Sequence, residues 1–203
     1  MKRFLLGKLL SMIGPLLVFV APMLACTSIC YPPAPRATPE RQIPLEELLM
    51  DETVFPAGWT RGEPGIAPLR IGERLVATFT PPTNVGLALH DVYRCRSAEA
   101  AATAYGDNID SYFFSPREGR TSWSVPPELS YESTVADQFR LGCRTHIEHG
   151  SERCQAVGQY DEYVVRFAAD MSSVMTYDDL EHILQAIDER MAHYLGKEAQ
   201  SMS

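Results

Sequence analysis

Lysine is nearly missing from this chain: it occurs at positions 2, 8 and 197 only, so almost all basic charge after the first eight residues is arginine. Positive charge as a whole is also scarce. Against 26 Asp and Glu stand 18 Lys and Arg, a formal charge of −8. A surface of that sign is repelled by phosphate backbones, which argues against nucleic-acid partners. The familiar catalytic signatures are absent as well. The sequence contains no Gly-x-Ser-x-Gly elbow, no His-Glu-x-x-His helix, no phosphate-binding loop and no dinucleotide fingerprint. No Cys-x-x-Cys occurs, which removes the usual zinc knuckles, and neither a cofactor nor a metal is expected. The glycines at 58, 62 and 65 follow no strand and precede no Lys-Ser or Lys-Thr pair.

What is present begins at the N-terminus. Lys2, Arg3 and Lys8 precede an apolar run to Leu24, and Met23-Leu24-Ala25-Cys26 closes it. This resembles the lipobox of bacterial lipoproteins, in which the signal is cut before a cysteine that then carries a diacylglycerol. Leu stands next to Ala25 here, one place later than the usual order. The resemblance implies a signal peptide over residues 1–25, lipid (palmitate) attachment at Cys26 and a bacterial cell-envelope location outside the cytoplasm. Ordinary cleavage, or a retained anchor helix interrupted by Pro15 and Pro22, is the alternative, and either leaves the remainder outside the cytoplasm. Cleavage before Cys26 removes three basic residues and takes the charge from −8 to −11.

Residues 26–44 carry Pro32, Pro33, Pro35, Pro39 and Pro44 among small and polar neighbours, which cannot build a core. They are expected to form an extended tether reaching up to about 50 Å at about 3.1 Å per residue. A single globular domain is expected over residues 45–203. It opens with Leu45, Leu48 and Leu49 on an amphipathic turn, then Phe55-Pro56-Ala57-Gly58-Trp59, a forced bend that brings two aromatics together. This corner is similar to the opening of exported lipoprotein domains and of extracellular sensor domains of some receptor kinases.

Downstream the pattern runs hairpin then helix, twice. Strands are predicted near 71–80 and 86–95 with a helix over 98–114, then near 135–147 and 154–169 with a helix over 177–195. The apolar residues of the two helices share one set of offsets (0, 3, 4, 7, 11, 14 and 15), a continuous face at helical period. Ser97 and Thr176 suit N-caps, Asp179 completes a capping box, and Gly196 supplies a left-handed stop. Phe139, Leu141 and Cys143 share one strand face, as do Tyr163, Val165 and Phe167, with Arg140, Arg144, Glu162 and Arg166 opposite. The expected fold class is α+β: an antiparallel sheet of about four or more strands from two hairpin-helix units, with two amphipathic helices on one face.

Four cysteines besides Cys26 suit an oxidising compartment and allow three disulfide pairings. Cys143 and Cys154, on neighbouring strands of one predicted hairpin, are the preferred pair. Cys30 and Cys95 would form the second pair, or Cys95 would stay a buried thiol. His146, Glu148, His149 and Glu152 cluster at the turn of that hairpin, but no spacing puts them on one face, and a solvated turn is the expectation.

Candidate binding residues come from the irregular connection over residues 115–130. Tyr112, Trp123 and Tyr131 flank or occupy it, and rigid aromatics on a long connection are a common way to line a groove. Together these features point to a membrane-anchored binding or sensor domain for a small molecule, a glycan or a protein. An exported hydrolase or metal-dependent enzyme with a site assembled only in three dimensions is the alternative, and an envelope assembly subunit is a third class.

Overall fold

The computed structural model describes residues 41–69, 72–114, 119–148 and 150–197. The signal, Cys26, Cys30 and most of the tether therefore lie outside the described residues. Contacts with the domain already begin at Arg41. Its guanidinium lies 3.0 Å from both Asp161 and Glu162, and Arg94 donates to the Ile43 carbonyl at 2.8 Å.

The chain is α+β, built on one antiparallel seven-stranded sheet. A short helix α1 (Leu45–Leu48) and a 3-10 turn (Glu52–Val54) lead into β1 (Thr60–Arg61), β2 (Gly65–Leu69), β3 (Gly72–Thr80) and β4 (Ala88–Cys95). Helix α2 (Ala98–Ile109) continues into a π-helical turn, Asp110–Phe114. Then come β5 (Gln138–Thr145), β6 (Glu152–Tyr160), β7 (Tyr163–Met171) and α3 (Tyr177–Leu195). The spatial order is β1-β3-β4-β7-β6-β5, with β2 also on β3, so β7 comes back to lie between β4 and β6.

Two features depart from the two-hairpin plan. The stretch read as one strand over 154–169 is two strands, β6 and β7, reversed at Asp161-Glu162. That turn carries neither Gly nor Pro; Asp161 supplies the left-handed residue itself, at φ 50°, as Asp tolerates better than most. The two long helices also pack on opposite faces, not on one. Alternate residues of the same strands separate: Val92, Val165 and Phe167 join α3 and α1, while Tyr93, Val157 and Val164 join α2. Central strands covered on both sides lose the simple inside-outside alternation.

The α3 side holds the larger core. Leu180, Ile183, Leu184, Ile187, Met191 and Leu195 are buried along the predicted stripe, and the capping box at Thr176 and the left-handed stop at Gly196 are both formed. Phe55 stacks on Phe79 at 4.0 Å and lies 5.6 Å from Trp59, so the Pro-Gly corner closes this core. The same face carries the Cys143–Cys154 disulfide, between residues directly opposite in the β5–β6 register. Cys95 is a buried thiol, raised to about 11 by that burial. Any bond from it to Cys30 concerns a residue outside those described.

Candidate functional site

The opposite face carries the site. Period-two geometry sends Asp91 of β4, Arg144 of β5, Arg153 and Gln155 of β6, and Arg166 and Asp170 of β7 to the same side. On a solvated sheet these side chains would stand in water. Here α2, its π-helical end and the connection from Gly119 onward cover them, leaving Arg144 and Arg166 each 7% exposed, Gln155 2% and Asp91 0%.

The cover is positioned by backbone pairing. Residues 119–124 run beside β5 as a broken extra edge: Arg120 bridges His146, and Ser124 and Cys143 exchange bonds of 3.0 and 2.7 Å. Because Ser124 pairs with Cys143, its neighbour Trp123 falls on the arginine side. Gly142 makes room for it. A Cβ at 142 would stand 3.3 Å from the Phe113 ring and 3.7 Å from the Trp123 Cβ, so the aromatic pair, 5.0 Å between centroids, needs glycine beneath it. The wide π turn meanwhile places Tyr112 over the sheet.

Each buried guanidinium lies on a ring. Arg144 sits 4.4 Å from the Trp123 centroid and Arg166 4.1 Å from that of Tyr112. Stacking holds the planar fork in one orientation and leaves its N–H edges to the side. Asp91 fixes Arg166 further: it accepts from Arg166 Nη1 at 2.8 Å, and from Arg74 Nε and Nη2 at 3.0 and 2.6 Å. Burial first, then the charge of Asp91, pushes the Tyr93 hydroxyl beside this group up to about 12.

Between cover and sheet lies a cavity of about 430 Å³. Its walls are Tyr112, Arg120 and Trp123; its floor is Arg144, Gln155 and Arg166. Its far end is made by His146, Ser151 and Glu152, with the Arg153–Asp170 pair at 2.6 Å beside them. Three side chains that line this cavity carry a buried N–H group with no acceptor among the described residues: Trp123 Nε1, Gln155 Nε2 and Arg166 Nε. Buried donors are paired in the great majority of cases, and those left over call for an explanation. The arrangement is chemically a pocket lined by donor-bearing side chains with positive charge among them, suited to an acceptor-rich ligand.

Of the residues expected to bind, Tyr112 and Trp123 meet at this cavity and Tyr131 does not. Tyr131 lies on the other face, where its hydroxyl donates to Asp188 at 2.6 Å and its ring meets Phe139 at 5.7 Å, beside a second, more open groove. Burial and then the Asp188 carboxylate push its hydroxyl well above the ordinary tyrosine range. Of the turn cluster, His146 and Glu152 line the cavity and His149 lies outside the described residues. No group of three or more potential metal ligands occurs among the described residues.

Sequence reasoning assigned Arg144, Arg166 and their row to a polar outer face and passed over Asp91, Arg153 and Gln155. The signal was the alternation itself: arginines at 140, 144, 153 and 166, all facing one way in a chain almost without lysine.

No family model matches the chain. A stretch of 74 residues is 35% identical to RNA-directed RNA polymerase 2a of Tomato aspermy virus, 36% of this chain and 9% of that protein. The chain thus spans less than a tenth of the length of that relative. Among solved structures, the crystal structure of the extracellular domain of PknH from Mycobacterium tuberculosis is similar over 71% of this chain and 94% of that one, with a TM-score of 0.48 and 10% identity. Among the described residues no helix is long and apolar enough to cross a membrane.

Proposed function

We propose that this chain is an extracytoplasmic binding or sensor domain, anchored through a lipid on Cys26, whose pocket on the arginine face takes a small molecule. One observation carries the binding function: a cavity of ligand size lined by Trp123, Gln155 and Arg166, whose buried donors have no acceptor among the described residues. The N-terminal residues through Cys26 support the anchor, and the Cys143–Cys154 disulfide suits an oxidising compartment.

The test is thermal stabilisation against a panel of small carboxylates, phosphate esters, sugars and amino acids. A compound at 100 times its Kd raises stability by about 2.7 kcal/mol, an upward shift that is easily read. At least one member should stabilise the native chain and leave Trp123→Ala, with its wall removed, where it was. A panel with no stabilising member, or one that stabilises both chains equally, contradicts the proposal. For the anchor, labelling with a fatty-acid analogue should vanish in Cys26→Ser; persistent labelling contradicts that part alone.

A further inference from the structure

We infer that the ligand of this pocket is a compact dianionic oxyanion, a phosphate monoester or a small dicarboxylate, an inference that rests on the binding function proposed above. Charge is the first argument. The lining side chains, together with the Arg74–Asp91 pair behind Arg166, comprise the guanidiniums of Arg74, Arg120, Arg144, Arg153 and Arg166 against the carboxylates of Asp91, Glu152 and Asp170. Among the described residues these groups thus number five cations against three anions, in a chain whose total is −8. Two charges of opposite sign on the ligand would close that balance, and a phosphate monoester near neutral pH carries about −1.5 to −2.

Donor chemistry is the second argument. The Trp123, Gln155 and Arg166 groups without an acceptor among the described residues are N–H donors, and each comes from a different element: the cover, β6 and β7. Donor-bearing side chains on both floor and cover suit oxygens that offer several lone pairs, as phosphate and carboxylate do. Rings under Arg144 and Arg166 hold those forks before any ligand arrives, so little side-chain freedom is lost on binding.

Size and long-range charge narrow the class further. A volume of about 430 Å³ holds a ligand on the scale of a monosaccharide phosphate, not a polymer. The acidic remainder of the chain repels an extended polyanion over distances of about 8–10 Å. A compact dianion inside the cover meets the arginines first.

The test is calorimetric titration of the full chain in mild detergent, at fixed ionic strength, with inorganic phosphate, succinate, acetate and glucose. Phosphate or succinate should bind at least about tenfold more tightly than acetate, and glucose should give no heat; a tenfold ratio is about 1.4 kcal/mol. Whichever dianion ranks first identifies which of the two chemistries the site prefers. Arg144→Met keeps the stem and removes the charge, and should weaken dianion binding at least about tenfold, with Arg144→Lys intermediate. Should Arg144→Met fail to fold, the ranking of the four probes on the native chain decides. Dianions no tighter than acetate, or binding untouched by Arg144→Met in a folded protein, would overturn the inference. If glucose or another neutral compound binds and the dianions do not, the charge assignment fails while the pocket itself stands.

Discussion

Asp91→Asn removes one negative charge and almost no volume from the centre of the arginine face. Asp91 is wholly buried, bonded to Arg74 on one oxygen and to Arg166 on the other. The two arginines differ in what they do next. Arg74 is 28% exposed along its side chain and regains water, whereas Arg166, at 8%, becomes a guanidinium in the interior without its counter-ion. Breaking a buried pair by removing one partner costs about 3–5 kcal/mol, against a whole-domain stability of about 5–15 kcal/mol. With a urea slope near 2 kcal/mol per molar, the midpoint should fall by about 1.5–2.5 M. Urea unfolding followed by Trp59 fluorescence measures this. Adding Arg166→Met to Asp91→Asn removes the stranded charge, so the double variant should be no less stable than Asp91→Asn alone, a coupling of a few kcal/mol. A midpoint shift equivalent to less than about 1 kcal/mol, or two losses that simply add, would refute the buried-pair account.

Three further outcomes are expected. His90 is fully buried with Nδ1 accepting from the Met50 N–H at 3.1 Å, and burial, then Arg190 and Arg61, lower its pKa to about 3. Its folded pKa lies below the unfolded one, so its neutral form favours the fold above about pH 6.5. That contribution is lost as pH falls toward 3, at about 1.4 kcal/mol per pH unit. His90→Asn should flatten that part of the stability-pH curve; an unchanged slope would exclude His90 as its source. Asp188 accepts from Tyr131 and Tyr160, each at 2.6 Å, so Asp188→Ala should cost about 3 kcal/mol or more in urea unfolding, and a loss under about 1 kcal/mol would contradict the two-tyrosine clamp. Reducing the Cys143–Cys154 bond should lower stability by about 2–3 kcal/mol, read from midpoints with and without reductant, while identical midpoints would mean the bond constrains nothing.

Local elements were legible wherever a residue acts through its own short-range chemistry. The α3 stripe from Leu180 to Leu195, the Thr176 capping box, the Gly196 stop and the Phe55–Trp59 corner all follow from spacing and turn chemistry, and all are formed. So is the cross-strand cysteine pair. The sheet order was not legible, because β7 reaches its place between β4 and β6 through long-range pairing that no local pattern encodes. The Asp161-Glu162 reversal was hidden for a simpler reason: the turn uses neither Gly nor Pro, and the apolar run on both sides of it reads as one strand.

The site was half legible. Trp123 and Tyr112 stood out as aromatics around a long connection, and they line the cavity. The arginines did not stand out, because alternation tells which residues share a face and says nothing of what covers it. Arg166 looks like a solvent residue until α2 is found on its side of the sheet. Asp91, a wholly buried carboxylate in the middle of β4, was the overlooked marker: a carboxylate in that position is tolerated only with cationic partners, and two arginines supply them.

The binding pocket is tested most directly by the two indole N–H resonances in a ¹⁵N-labelled sample titrated with inorganic phosphate. Trp59 donates to the Val174 carbonyl at 3.1 Å on the opposite face and serves as an internal reference, whereas Trp123 lines the cavity and its N–H has no acceptor among the described residues. The Trp123 resonance should move downfield and saturate while that of Trp59 stays in place. A Trp123 resonance that does not move, or that drifts together with Trp59 without saturating, would contradict a ligand site on the arginine face.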